Sequence, residues 1–103
     1  MAKHRSSFQR RGPFTTTLFR NPGNGGWTFA PIPQTLAPPV TRPWGRTPVH
    51  AVVDGVSWST SIWRDSKSDG ALLAVPARVR GRKGSGDTVT VEFTFDPEND
   101  GGT

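Results

Sequence analysis

His50, Ser59 and Ser61 are the residues of this chain whose types could do covalent chemistry, and strand alternation brings them together. In an antiparallel hairpin closed at Asp54-Gly55, His50 falls opposite Ser59. Ser57 and Ser61 lie beside that pair, with Trp63 and Arg64 at the far end. A hydroxyl next to an imidazole suggests a nucleophile and its base. A working serine centre also needs a third group to orient the base and N–H donors to receive the oxyanion. Neighbours on a regular ladder supply neither, so no catalytic residue is assigned. The same face is read as a candidate ligand pocket lined by His50, Ser59, Ser61, Trp63 and Arg64, an apolar body with a few convergent polar groups.

Charge suggests a second chemistry. Arg78, Arg80, Arg82 and Lys83 lead into Gly84-Ser85-Gly86. If that stretch is extended, the three arginines project to one face, and the glycine-rich N–H groups add an anion nest. Forked guanidinium groups suit phosphate, so the expected partner is a polyanion or nucleic acid. Arg10, Arg11, Arg42 and Arg46 could enlarge the basic surface. It is not a P-loop, because GxxxxGK[ST] is absent. The formal net charge of +5 argues affinity for polyanions without specificity.

Metal chemistry finds no support. The two histidines lie far apart and there is no cysteine. Asp65 and Asp69 frame a loop that lacks EF-hand spacing. No cofactor motif is present, and no cofactor is expected.

These side chains need a scaffold, and its clearest part is the hairpin itself. Asp-Gly favours a two-residue type I′ turn with positive φ at both positions. Closing it pairs Val53 with Val56, Ala51 with Trp58, Val49 with Thr60 and Thr47 with Ile62, which makes one apolar face. His50, Val52, Ser57, Ser59, Ser61 and Trp63 take the other. Residues 87–95 alternate as cleanly, with Val89, Val91, Phe93 and Phe95 inward. Shorter strands are predicted at residues 14–19, 27–32 and 71–75. Polar or glycine-rich turns separate them, at Asn21 to Gly26 and Asp65 to Gly70. Residues 33–48 are proline-rich and irregular, with a helical turn expected near Gln34 to Ala37 and Trp44 expected to anchor the loop on the body. A second helical turn is expected before Gly81.

The 103 residues fit one domain. Residues 1–12 read as a flexible basic arm, 13–96 as an all-β, six- to seven-stranded barrel and 97–103 as a disordered acidic tail. Trp27, Phe29, Trp58 and Phe93 are expected in the core, since each aromatic buries roughly 150–250 Å². No apolar run approaches a membrane span and no apolar leader is seen, so a cytoplasmic protein without membrane contact is expected.

One ordered set of residues resembles a known family. Gly26-Trp-Thr-Phe-Ala-Pro-Ile-Pro33, Pro48-Val49, Asp54-Gly55, Ser59-Thr-Ser61, Gly70, Val75, Arg80 and Gly86-Asp-Thr-Val-Thr-Val91 occur in the order seen in DUF1905 proteins. The resemblance runs from about Phe14 to Asp96. It implies a double-split β-barrel, related in architecture to AbrB-like barrels, while the residues themselves allow at most short helical turns. It also implies a structural role for Gly86-Asp87, whose carboxylate would tie down N–H groups of a nearby loop. Prolines 38, 39 and 43, with Gly81 and Gly84, stand where the family often has helices. The resemblance brings no activity.

Three readings of function follow. The first is a non-catalytic binding module with an anion site at Arg78, Arg80, Arg82 and Lys83. The second is a small-ligand pocket or minor enzyme on the His50 face. The third is an interaction protein, monomer or weak homodimer, with an exposed strand edge such as Trp27 to Ala30 paired to another chain.

Overall fold

The structure is a computed structural model that describes residues 8–21 and 26–97. Lys3, Arg5 and the rest of residues 1–7, and all of 98–103, lie outside the described residues. Seven strands are present: β1 (Gln9–Thr17), β2 (Phe19–Arg20), β3 (Thr28–Ile32), β4 (Arg46–Val53), β5 (Val56–Arg64), β6 (Ala71–Ala74) and β7 (Thr88–Phe95). They form one antiparallel sheet in the order β1-β7-β4-β5-β6-β3-β2. The two outermost strands, β1 and β2, are separated in the chain only by Leu18. The sheet therefore curls until its edges are joined by one continuous run of backbone, a half-barrel of the expected all-β class. Among the described residues, the helical elements are α1 (Ala77–Arg80) and a 3-10 turn at Pro43–Gly45. No helix among the described residues is long and apolar enough to cross a membrane.

The β4–β5 hairpin forms in the expected register, with His50 opposite Ser59 and Ala51 opposite Trp58. Asp54 (φ 48) and Gly55 (φ 86) both adopt positive φ, as a type I′ turn requires. The Asp54 N–H donates to Thr90 O at 2.9 Å. Even-numbered β4 residues therefore turn their backbone groups toward β7 and odd-numbered ones toward β5. This parity explains where β7 ends. After His50↔Thr94, the next even residue of β4 is Pro48, which has no N–H to offer, and Pro97 follows Asp96.

The core follows the alternation. Val49, Ala51, Val53, Ile62, Leu73, Val89, Val91, Phe93 and Phe95 are buried together with Leu18, Ile32 and Val79. Burying such side chains stabilises a domain by roughly 1.5–3 kcal/mol each before chain entropy is counted. Phe29 and Trp58 are half-buried, and Trp58 packs against this cluster.

Five expectations are corrected. Trp27 is 57% exposed, because β3 begins at Thr28 and Trp27 lies outside its alternation. Trp44 anchors nothing and is 87% exposed. Residues 9–12, read as arm, belong to β1, where Gln9, Arg10 and Arg11 pair with β7. The edge proposed at Trp27 to Ala30 is occupied: Phe29 pairs with Phe19 on one side and Ala74 on the other. The segment at Gln34–Leu36 is a turn, held by Leu36 N–H to Pro33 O at 2.9 Å.

Candidate functional site

The basic stretch before β7 is not extended. Pro76 starts a helical turn at Ala77–Arg80, and Gly81 (φ 61) ends it, so Arg78, Arg80 and Arg82 do not share one strand face. Two of its four cations are used within the fold. Arg80 donates from Nε to Val75 O (3.2 Å) and from Nη1 to Lys83 O (3.0 Å). Lys83 Nζ reaches Asp54 Oδ2 at 2.8 Å and Thr88 O at 2.7 Å. Asp54 Oδ1 in turn accepts the Thr90 N–H at 2.8 Å. The Lys83 ammonium, and after it the Thr90 N–H, hold the Asp54 carboxyl below its ordinary 3.8. Asp87 Oδ2 accepts the Gly84 N–H at 2.8 Å, and Gly86 N–H donates to Leu18 O. This network latches the hairpin tip to the β6–β7 connection. Arg78 and Arg82 remain exposed, with no carboxylate partner among the described residues.

The polar hairpin face is divided. His50 and Ser59 border an open cleft of about 250 Å³ with Phe8, Thr41, Pro48 and Asp96. Ser61, Trp63 and Arg64 do not line it. Arg64 instead lines a cavity of about 370 Å³ at the other end of the hairpin, with Gln34, Val40, Gly45, Ile62 and Asp69. The five residues assigned to one pocket thus fall into separate places. Among the described residues, no cluster of three or more His, Cys, Asp or Glu could hold a metal.

A different grouping forms at the open end of the hairpin, where Gly45 and Arg64 line that cavity. The 3-10 turn Pro43–Gly45 carries two consecutive residues with positive φ, Trp44 (66) and Gly45 (71). Gly45 sits against Arg64: a Cβ there would lie 3.1 Å from Arg64 Cβ. Left-handed backbone is expected of glycine and costs a bulky residue of order 1–3 kcal/mol. The turn therefore holds Trp44 in a disfavoured conformation while leaving its ring in solvent. Next along the chain, Arg46 stands directly across from Trp63, which is 41% exposed. Their parity puts both on the outer face, while Arg64 turns toward the cavity mouth. No carboxylate pairs with Arg46 or Arg64 among the described residues. Trp44, Arg46, Trp63 and Arg64 thus form a basic, aromatic rim at the end opposite the latch.

Sequence reasoning put Trp63 and Arg64 in one candidate pocket and Arg46 in a wider basic surface, but did not bring Trp44 to them. The signal was the run Arg42-Pro-Trp-Gly-Arg46, in which proline and glycine enclose a tryptophan between cations with no apolar alternation around it. Without alternation, nothing directs the ring inward.

No curated protein and no solved structure matches the chain. The family described as Domain of unknown function (DUF1905) matches residues 14–93, which takes in every strand from the second half of β1 to most of β7. Over that span the chain belongs to the DUF1905 family.

Proposed function

We propose that this protein is a non-catalytic binding module that takes single-stranded nucleic acid on the rim formed by Trp44, Arg46, Trp63 and Arg64. One observation carries the reading: a tryptophan that is 87% exposed is held at φ 66 on a short turn between cations. Exposing such a ring contributes nothing to the core, and its backbone conformation is disfavoured. Both make sense if the ring's partner is a flat ligand. Stacking of a base on an aromatic side chain contributes about 1–3 kcal/mol and tolerates any sequence. Unpaired guanidinium groups nearby supply phosphate contacts.

The rim is favoured over the stretch Arg78 to Lys83, because Arg80 and Lys83 are committed to the latch. A catalytic role for His50 and Ser59 has no supporting third residue on the ladder. The test is a titration of a fluorescein-labelled single-stranded oligonucleotide at several salt concentrations. Binding should weaken steeply with salt, quench tryptophan fluorescence, and be lost in Trp44→Ala. Equal binding of heparin and oligonucleotide, both indifferent to Trp44→Ala, would reduce the reading to plain polyanion attraction.

A further inference from the structure

The edges of this sheet are not alike. Where β7 ends, the exposed side of β4 presents Pro48, which has no N–H. Where β2 ends, the exposed side of β3 presents Pro31, whose carbonyl accepts the Thr16 hydroxyl at 2.8 Å. The ladder of β1 is broken by a register shift between Arg11 and Phe14, at Gly12-Pro13. Proline, bulges and charge are the devices that keep an edge from pairing with another chain.

One edge has none of them. β6 pairs with β5 only from Ile62↔Leu73 to Arg64↔Ala71. The Asp65 N–H donates to Gly70 O at 3.1 Å, so odd-numbered β5 residues direct their backbone groups to the β6 side. Ser57 and Ser59 therefore point N–H and C=O past the end of β6, and both residues are exposed. Among the described residues, no hydrogen bond reaches either from that side. Residues 56–61 read Val-Ser-Trp-Ser-Thr-Ser, with no charge, no proline and high strand propensity. Val56 is 41% exposed although it lies on the core-facing row.

We infer that this edge of β5 is a docking surface for the same edge of a second copy of the chain, in antiparallel pairing about a two-fold axis at Trp58. The register follows from what is free. Ser57 and Ser59 are the residues with both backbone groups available, so Ser57 pairs with the second copy's Ser59 and Ser59 with its Ser57. That exchange makes four backbone hydrogen bonds and sets the two Trp58 side chains opposite one another as a close, non-hydrogen-bonded pair. Val56 then faces Thr60 of the second copy. The same register brings the second copy's Gly55 to the level of Ser61, where β6 ends at Ala74, so the incoming hairpin turns away there. A shift of one pair further would drive it into β6. A closed two-fold interface needs a self-complementary patch, and an uncharged run with no like-charge repulsion meets that requirement.

Sedimentation equilibrium across a concentration series from micromolar to near-millimolar tests this on the full chain. The unaltered protein should show a reversible monomer–dimer equilibrium. Ser57 and Ser59 are exposed, so lysines there should leave the thermal melt in place. The S57K/S59K variant sets lysine against lysine twice across the axis and should weaken the dimer by at least about tenfold. The S57E/S59K variant sets Glu against Lys in this register and should restore it, with affinity that falls as salt rises. A protein that stays monomeric throughout, or an S57K/S59K dimer as tight as the original, would overturn the inference. An S57E/S59K variant as weak as S57K/S59K would overturn the register and the two-fold at Trp58. An R46S/R64S variant should dimerise like the unaltered chain, which separates this interface from the nucleic-acid rim.

Discussion

The two ends of the β4–β5 hairpin carry similar charge and use it in opposite ways. At the tip, Lys83 lies 2.8 Å from Asp54 and Arg80 is bound to backbone carbonyls, so cations there hold a turn to a connection. At the open end, Arg46 and Arg64 have no carboxylate partner among the described residues, and the aromatic rings beside them stand in solvent. A cation's neighbours, more than its presence, decide whether it is available. Carboxylates and carbonyls within hydrogen-bond reach make it structural, and their absence beside exposed rings leaves it able to meet a ligand.

The largest effect that separates the ends is on stability. Asp54→Ala removes the acceptor for both Lys83 Nζ and the Thr90 N–H at a position with φ 48, and should destabilise the fold by about 2 kcal/mol in chemical denaturation. Oligonucleotide affinity measured well below the melting temperature should not change. Trp44→Ala should do the reverse, lowering affinity for a single-stranded oligonucleotide by about tenfold while leaving stability equal or higher. Loss of stability in that variant would mean that the ring packs after all. Arg64→Ser comes next, with affinity down about fivefold and the slope of log affinity against log salt reduced by about one.

The smallest effect is on pH dependence. The Asp54 carboxyl is held below 3.8 by Lys83 and Thr90, so its contribution is complete above the ordinary carboxylate range. It is lost as pH falls through the depressed value. Acid melts of Asp54→Asn should therefore show a shallower fall in stability below pH ~4 than the unaltered chain. Identical acid limbs would show that the latch contributes nothing through its charge.

The fold was legible where alternation was long. Residues 88–95 carry four apolar residues on one row and the two strands of the Asp54-Gly55 hairpin carry three each on their shared face, and a slip of one residue would turn them to the other side. The type I′ turn could be read from Asp54-Gly55 itself, and a structural role for Asp87 from the family resemblance. Trp27 and Trp44 were misplaced because aromatic size argues for burial only where a strand or helix gives the side chain a direction. The helical turn before Gly81 was legible, and the structure forms it at Ala77–Arg80; it removes the shared face that an extended run would have given the three arginines. The rim was hidden for another reason. Arg46 and Trp63 are cross-strand partners, visible once the hairpin register is extended to its end, but Trp44 joins them through a 3-10 turn that no spacing rule anticipates.

The most direct measurement compares two double variants in one oligonucleotide titration at low salt, R46S/R64S at the open end and R78S/R82S near the latch. If the rim is the binding surface, the first loses most of its affinity and the second keeps it, with tryptophan quenching intact. The reverse, affinity retained without Arg46 and Arg64 and lost without Arg78 and Arg82, would contradict the assignment and return the site to the turn before β7.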